Sequence, residues 1–439
     1  MGGICRLRDV KKLVGYGMYT RHTILKNGLL VDPSKGIEAV KDIVIEDDLI
    51  LEVCDKAYAE KGDYIIDCAG LEIWPGLIDM HLHVSDLFEI HTNTAYGAVE
   101  DGVTTALSPG AGNTFMAPAL LGAERDRGLP LNVGVFLGAA NVLGTRLDDE
   151  ELIELFTGTL GQEDKERKLS HNGIVNRTAQ YAVGIKEHMG HFLLPDEKLR
   201  QLYTITDKAH LMFTSHTQDI DHTLHLFDMS GGRHLHLGHA NAAGCGTHGD
   251  AVRSMRQVID LCRRQEVSGE FVTTMLREGG GCREGLRMEE RARQMALEAL
   301  ADHTVTILVS DGQNQSTMKG FGDTRDNIPC LLELAENRVL SKKDAVALMT
   351  CNPAKLLAER TENEEWKSRY GHLGAGAFAN ITVVEPKRKH AVYVLTNGRL
   401  VSFEKRHLRS GGRAGYWVSK FQTKKDMGIG ELPMYEIKL

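Results

Sequence analysis

No two of the eight cysteines, at positions 5, 54, 68, 245, 262, 282, 330 and 351, form a C-x-x-C, and a chain of 439 residues is far too long for a disulfide scaffold. They read as reduced thiols, mostly structural. Also lacking is any apolar run long enough to cross a bilayer, since the longest, such as 131–140 and 304–310, reach about half that length. The opening MGGICRLRDVKK has no apolar core of a secretion signal, so the plain expectation is a cytoplasmic protein that does not engage a membrane. Nor does one sign of charge dominate. Charged residues make up 26% and apolar ones 42%, ordinary for a globular chain, and the net charge of -8 leaves nucleic-acid binding without support.

What is present is a change of texture along the chain. Residues 24–31 (ILKNGLLV) and 42–53 (DIVIEDDLILEV) read as hairpin strands with N-G as a turn signal, and the same character returns in 379–386 and 391–406. Two β-rich ends flanking a different middle predict a small β-sandwich domain formed by both chain ends, divided as 1–74 and 370–439 around a central 75–369. In the middle, strand-like runs alternate with helical ones. Strands are predicted at 76–83, 102–109, 131–138, 181–187, 210–216, 233–239, 270–276 and 304–311. Eight such units predict an α/β fold, a TIM-like (β/α)8 barrel with its chemistry at the carboxyl ends of the strands.

Titratable side chains collect at those ends. His81 and His83 stand two apart in GLIDMHLH, so they share a face, with Asp79 one step deeper where it can orient the site from below. His216 closes the fifth strand, His239 the sixth and Asp311 the eighth. Four imidazoles and a carboxylate suit zinc and related divalent ions; a pair of satisfied polar residues in an apolar strand is the blander reading of H-x-H alone.

The stretches PGLIDMHLH, GVTTALS, VGIKEH, SDG, ALMTCNPAKLLAE and GHLGAGAFANITVVEP, in that order, resemble the amidohydrolase superfamily, the metal-dependent hydrolases related to hydantoinases, dihydroorotases and D-aminoacylases. The resemblance runs from about residue 24 to 406. It implies two divalent metal ions: His81 and His83 holding the more buried one with Asp311, His216 and His239 holding the second. It also implies that Lys186 is N-carboxylated and bridges both. A free ammonium, with its pKa near 10.4, would repel the ions, whereas a carbamate supplies two anionic oxygens. Glu187 and His188 are rival ligands, but Glu187 has the opposite strand parity and His188 falls on the substrate side.

The family chemistry is attack of metal-activated hydroxide on an amide or cyclic-amide carbonyl, with Asp311 moving the proton as the catalytic residue. Arg277, taken to close the seventh strand, and Arg325 are candidates to clamp a substrate carboxylate, as in an N-acyl amino acid; Arg146 is a third. His248 is a further candidate for substrate contact. His222 and His225 are read as mouth residues or a polar helix face, His234 and His236 as packed against helices, and Cys245 as no nucleophile. Two alternatives stand beside amide hydrolysis: deamination of a nitrogen heterocycle, disfavoured by Lys186, and a non-catalytic barrel scaffold, disfavoured by the full ligand set. The spacing of 23 positions from His216 to His239 resembles the shorter D-aminoacylase-like and adenine-deaminase-like branches. Asn380 stands where the family commonly has an aspartate. Relatives assemble, so a homo-oligomer is expected, and the tail 410–439, with Trp417, Phe421 and Tyr435, is read as an arm packing on the barrel or a neighbour, against the rival of disorder.

Overall fold

A computed structural model describes residues 21–86, 89–90, 92–109, 113–188, 193–280, 286–312, 321–408, 414–425 and 428–431. Tyr435 and much of the Gly-rich segment around Arg283 lie outside them. The middle of the chain forms eight parallel strands hydrogen-bonded in chain order: Leu77–Asp79, Val103–Ser108, Asn132–Gly138, Gly184–Lys186, Met212–His216, Leu235–Gly238, Val267–Val272 and Ile307–Val309. Nearly every residue in them is buried, polar ones such as Thr104, Thr105, Thr214 and Ser215 included, as in a parallel sheet covered on both faces. The ring closes where Leu82 bridges Gly312 and the His83 amide donates to Gly312 O at 3.0 Å.

Helices cover the outside. Asp196–Lys208 buries Leu199, Leu202, Tyr203 and Ile205 at helical spacing, and Asp148 closes a capping box with Glu151 ahead of Asp149–Thr157. Among the described residues no helix is long and apolar enough to cross a membrane.

Two cores result. Strand residues facing outward pack with the helices, while those facing inward, including Ile78, Leu107, Phe136, Val183, Met212, Val272 and Val309, fill the barrel. That inner cluster continues through Trp366, Tyr370, Phe378, Tyr416 and Val418, so the amino end of the barrel is stoppered by the last helices and the tail. The arm expectation holds for 414–425: Trp417 is fully buried and bridges Val133, Val418 N donates to Val133 O, and Tyr370 Oη donates to Thr423 O.

Both chain ends contribute to a separate nine-stranded sheet, largely antiparallel, in which Glu72–Pro75 pairs with Ile381–Glu385. It has its own core of Leu25, Leu30, Ile43, Ile45, Ile73, Ile381 and Val383. Asn380 sits at the seam: its Oδ1 accepts from Asn132 Nδ2 at 3.3 Å and from Asn397 N at 3.0 Å, which joins this sheet to the base of the third barrel strand.

Three local expectations need correction. Asn27-Gly28 is not a turn; the strand Thr23–Asp32 runs straight through it with a bulge, Asn27 at φ 62°. The span 42–53 is instead broken at Asp47, φ 54°, between Ile37–Glu46 and Leu49–Cys54. The seventh barrel strand begins and ends earlier than predicted, because Thr273–Leu276 turns into a helix despite its β-branched threonines.

Candidate metal centre

Lys186 and His216 are the last residues of the fourth and fifth barrel strands, and the other functional side chains come just after theirs. The first ends at Asp79, so His81 and His83 lie beyond the ladder; the sixth ends at Gly238 and the eighth at Val309. His239 and Asp311 then take up left-handed backbone, φ 39° and 47°, which turns their side chains back across the barrel mouth. Only a glycine fits before His239. A Cβ on Gly238 would stand 2.5 Å from Ser215 O and 3.2 Å from His81 Cε1.

The six residues expected to hold metal come together and are all buried. Ligand atoms of His81, His83 and Asp311 lie within 4.8 Å of one another. Asp311 Oδ1 is 3.0 Å from His83 Nε2 and 3.4 Å from His81 Nε2, while its Oδ2 accepts the Phe321 amide at 2.8 Å. Lys186 Nζ lies 2.9 Å from His81 Nε2. The His239 ring is centred 4.8 Å from His81 and 4.5 Å from His216, with Phe321 lying 4.9 Å from His239.

Electrostatics favour neutral imidazoles here. Burial, with Lys186 close by, lowers His81 and brings His216 down to about 3; burial and the neighbouring His216 hold His239 well below the ordinary value. Asp311 is buried too, which opposes ionisation, but its bond to His83 and the nearby His81 keep it below the usual carboxylate range. The Nδ1 atoms of His216 and His239 are buried with no hydrogen-bond partner among the described residues. His216 donates from Nε2 to Gln218 Oε1 at 3.2 Å, so its Nδ1 is a lone pair aimed at nothing, which is costly unless something electrophilic takes it.

Other predicted residues scatter. His188 stays at the mouth, its ring 4.6 Å from His216. Glu187 turns outward as its parity requires and binds His222 at 3.1 Å, while His225 pairs with Asp196, so this helix carries a polar face. His248 is on the rim, 3.8 Å from Asp219. Arg277 does not close a strand: its guanidinium is forked onto Glu333, with Nε and Nη2 both at 2.9 Å, and also bound to Asp326. Arg325 is held by Asp323 through Nε at 3.0 Å and Nη2 at 2.5 Å. Both arginines proposed as carboxylate clamps are thereby committed to acids of the same chain, Arg277 to partners 49 and 56 positions away and Arg325 to one two positions away. Burial pushes the Cys245 thiol up to about 12, as befits a cysteine with no nucleophilic role.

Asp79 does act from below: it accepts from the amides of His81 and Ser310, each at 3.2 Å, and burial raises it to about 7. Two residues were misread or missed. His236, expected against the helices, faces into the barrel and donates toward Glu270 Oε2 at 3.0 Å. Its parity was counted from His239, whose left-handed backbone breaks the count. Glu270, fully buried, also binds His81 Nδ1 and accepts the His239 amide at 3.1 Å. Burial opposes its charge, yet His81 and His236 hold it far below the carboxylate range. A lone glutamate within the buried run Val267–Val272 was the signal available in the sequence.

Comparison with known proteins identifies the family. The model of the amidohydrolase family matches residues 73–405. A dihydroorotase from a Geobacter species is 26% identical over 444 residues, covering 92% of this chain and 99% of that protein, and one from Trichlorobacter lovleyi is 25% identical, covering 84% and 91%. Among solved structures, a D-hydantoinase aligns with a TM-score of 0.65 at 16% identity, covering 92% of this chain and all of that one. The dihydropyrimidinase from Brevibacillus agri aligns at 0.64, also at 16% identity, over 90% and 98% of the two chains. These structural likenesses concern the fold.

Proposed function

Because the chain belongs to the amidohydrolase family and is a metal-dependent hydrolase of C–N bonds, we propose that it opens a cyclic amide with the six buried residues His81, His83, Lys186, His216, His239 and Asp311 as its metal site and Asp311 as its proton carrier. The observation that carries this reading is their convergence at the carboxyl ends of five different strands. The donor set fits two divalent ions, most simply zinc: four imidazoles, three of them held neutral by burial, two with unpartnered Nδ1 atoms, and one ionised carboxylate. Lys186 fits only as its carbamate, since an ammonium 2.9 Å from His81 Nε2 would occupy the place of a cation with another cation. When bound, such ions activate water at neutral pH and polarise the carbonyl under attack.

The protein's own contribution is proton handling and shape. Asp311 Oδ2 accepts the Phe321 amide through one lone pair and keeps a second for a proton taken from water and returned to the leaving ring nitrogen. Phe321, packed at a tilt against His216 and His239, excludes bulk water from that exchange. His188 is placed to meet the substrate beside His216. The dihydroorotase relatives support a ring amide within a ureide as the substrate class; a substrate carboxylate finds Arg277 and Arg325 already taken.

Zinc- and manganese-loaded protein should open dihydroorotate, hydantoin or dihydrouracil, seen as loss of the ring-amide ultraviolet absorbance with uptake of base and no ammonia. Ammonia release without a new carboxylate would move the reading to deamination. A loaded protein inert on the whole panel would leave a scaffold.

A further inference from the structure

Four side chains run in single file down the inner wall of the barrel, away from the mouth. Glu270 Oε1 binds His81 Nδ1, Glu270 Oε2 is 3.0 Å from His236 Nε2, His236 Nδ1 is 2.7 Å from Ser268 Oγ, and Ser268 Oγ is 3.0 Å from His234 Nε2. Ser268 and Glu270 share the inward face of their strand with Val272, a member of the barrel-filling cluster. His234 ends the file in a cavity of about 450 Å3 at the amino end, lined also by His210, Arg233 and Arg360.

One carboxylate sets every proton in this file. A carboxylate only accepts, so both imidazoles touching Glu270 must donate to it: His81 from Nδ1 and His236 from Nε2. His236 Nδ1 is then a lone pair and takes the Ser268 hydroxyl proton, which leaves Ser268 Oγ to accept from His234 Nε2. His234 Nδ1 ends the chain as an acceptor, and it has no partner among the described residues. At the other end, His81 is fixed in the tautomer whose Nε2 lone pair points at Lys186 and Asp311.

We infer that Glu270 is a positioning residue for the metal site, locking the tautomer and ring plane of His81, and that His236, Ser268 and His234 hold Glu270 in turn. The inference rests on the reading of His81 as a metal ligand. An outer carboxylate behind a ligating imidazole raises its basicity and fixes its orientation, and losing one typically weakens metal binding by roughly 10- to 100-fold.

Cobalt(II) titration of metal-free protein, followed by visible absorption and by competition with a chelator, reads this without any turnover. Glu270→Gln, whose amide cannot accept from both imidazoles, is expected to weaken cobalt binding by roughly tenfold or more and to shift the ligand-field spectrum. His236→Leu should weaken it, and His236→Gln, which keeps a donor, should restore much of the loss. Should Glu270→Gln not fold, the His236 pair decides alone: rescue by Gln supports the file, and equal affinity of wild type and His236→Leu overturns it. Wild-type cobalt affinity and spectrum in folded Glu270→Gln would also overturn it. A wild-type protein that takes up no cobalt would instead remove the metal reading itself.

Discussion

Gly238 shows how little room the site leaves. An added methyl group meets the Ser215 carbonyl and the His81 ring, neither of which can yield without moving a strand or a ligand. Gly238→Ala is therefore expected to lose about 1–3 kcal/mol of stability and also metal content, measured by urea denaturation and by elemental analysis. Asp311→Asn keeps the shape but cannot take a proton; hydrolysis should fall by about a thousandfold or more while the fold survives, checked by kcat against circular dichroism. Buried histidines add a pH dependence to the metal-free protein. His216 and His234 are each lowered to about 3 by burial, so the unfolded chain binds more protons than the native one between that value and about 6.5. Their contribution is present above pH 6.5 and lost as pH falls. Each should cost about 2 kcal/mol between pH 7 and pH 5, offset in part by Asp79, whose raised value acts in the opposite sense, and a urea midpoint that does not fall over that interval would contradict it.

At the scale of elements, one dipeptide is put to two uses within the sheet built from both chain ends. Asn397-Gly398, at φ 45° and 77°, makes the tight turn between His390–Thr396 and Arg399–Phe403, as its sequence promises. Asn27-Gly28 makes a bulge instead, because pairing on both sides extends Thr23–Asp32 through it. Local chemistry supplies the left-handed residue, and the neighbouring strands decide what it is used for. Arg277 teaches the same lesson for a side chain. It ties the turn Thr273–Leu276 to the helix Asn327–Glu336, and partial exposure reduces what its pairs contribute. Arg277→Met is expected to cost about 1 kcal/mol and to leave kcat/KM nearly unchanged; a large rise in KM alone would return it to the substrate.

For the whole molecule, the arm 414–425 stoppers the amino end of the barrel through Tyr416 and Val418 and is pinned on its outer side by Trp417. Trp417 packs against Tyr181 and Gly122 and is fully buried, so Trp417→Ala should cost about 3–5 kcal/mol, measured by chemical denaturation, with smaller effects on KM. A loss below 1 kcal/mol would mean that the arm merely rests on the surface. Chemistry at one end of a barrel and stability at the other is the division that closing eight parallel strands imposes.

Lys186 rested on the family resemblance, but apolar runs of strand length, helical periodicity between them and polar side chains at their ends were enough to give the barrel, the sheet built from both chain ends, and the other five residues that converge. These depend on periodicity and order along the chain, which a sequence carries directly. That Arg277 is taken by Glu333 and Asp326, that Glu270 stands behind His81, and that His236 faces inward depended on partners 34 to 189 positions away and on one left-handed residue. Such contacts exist only once the barrel has closed.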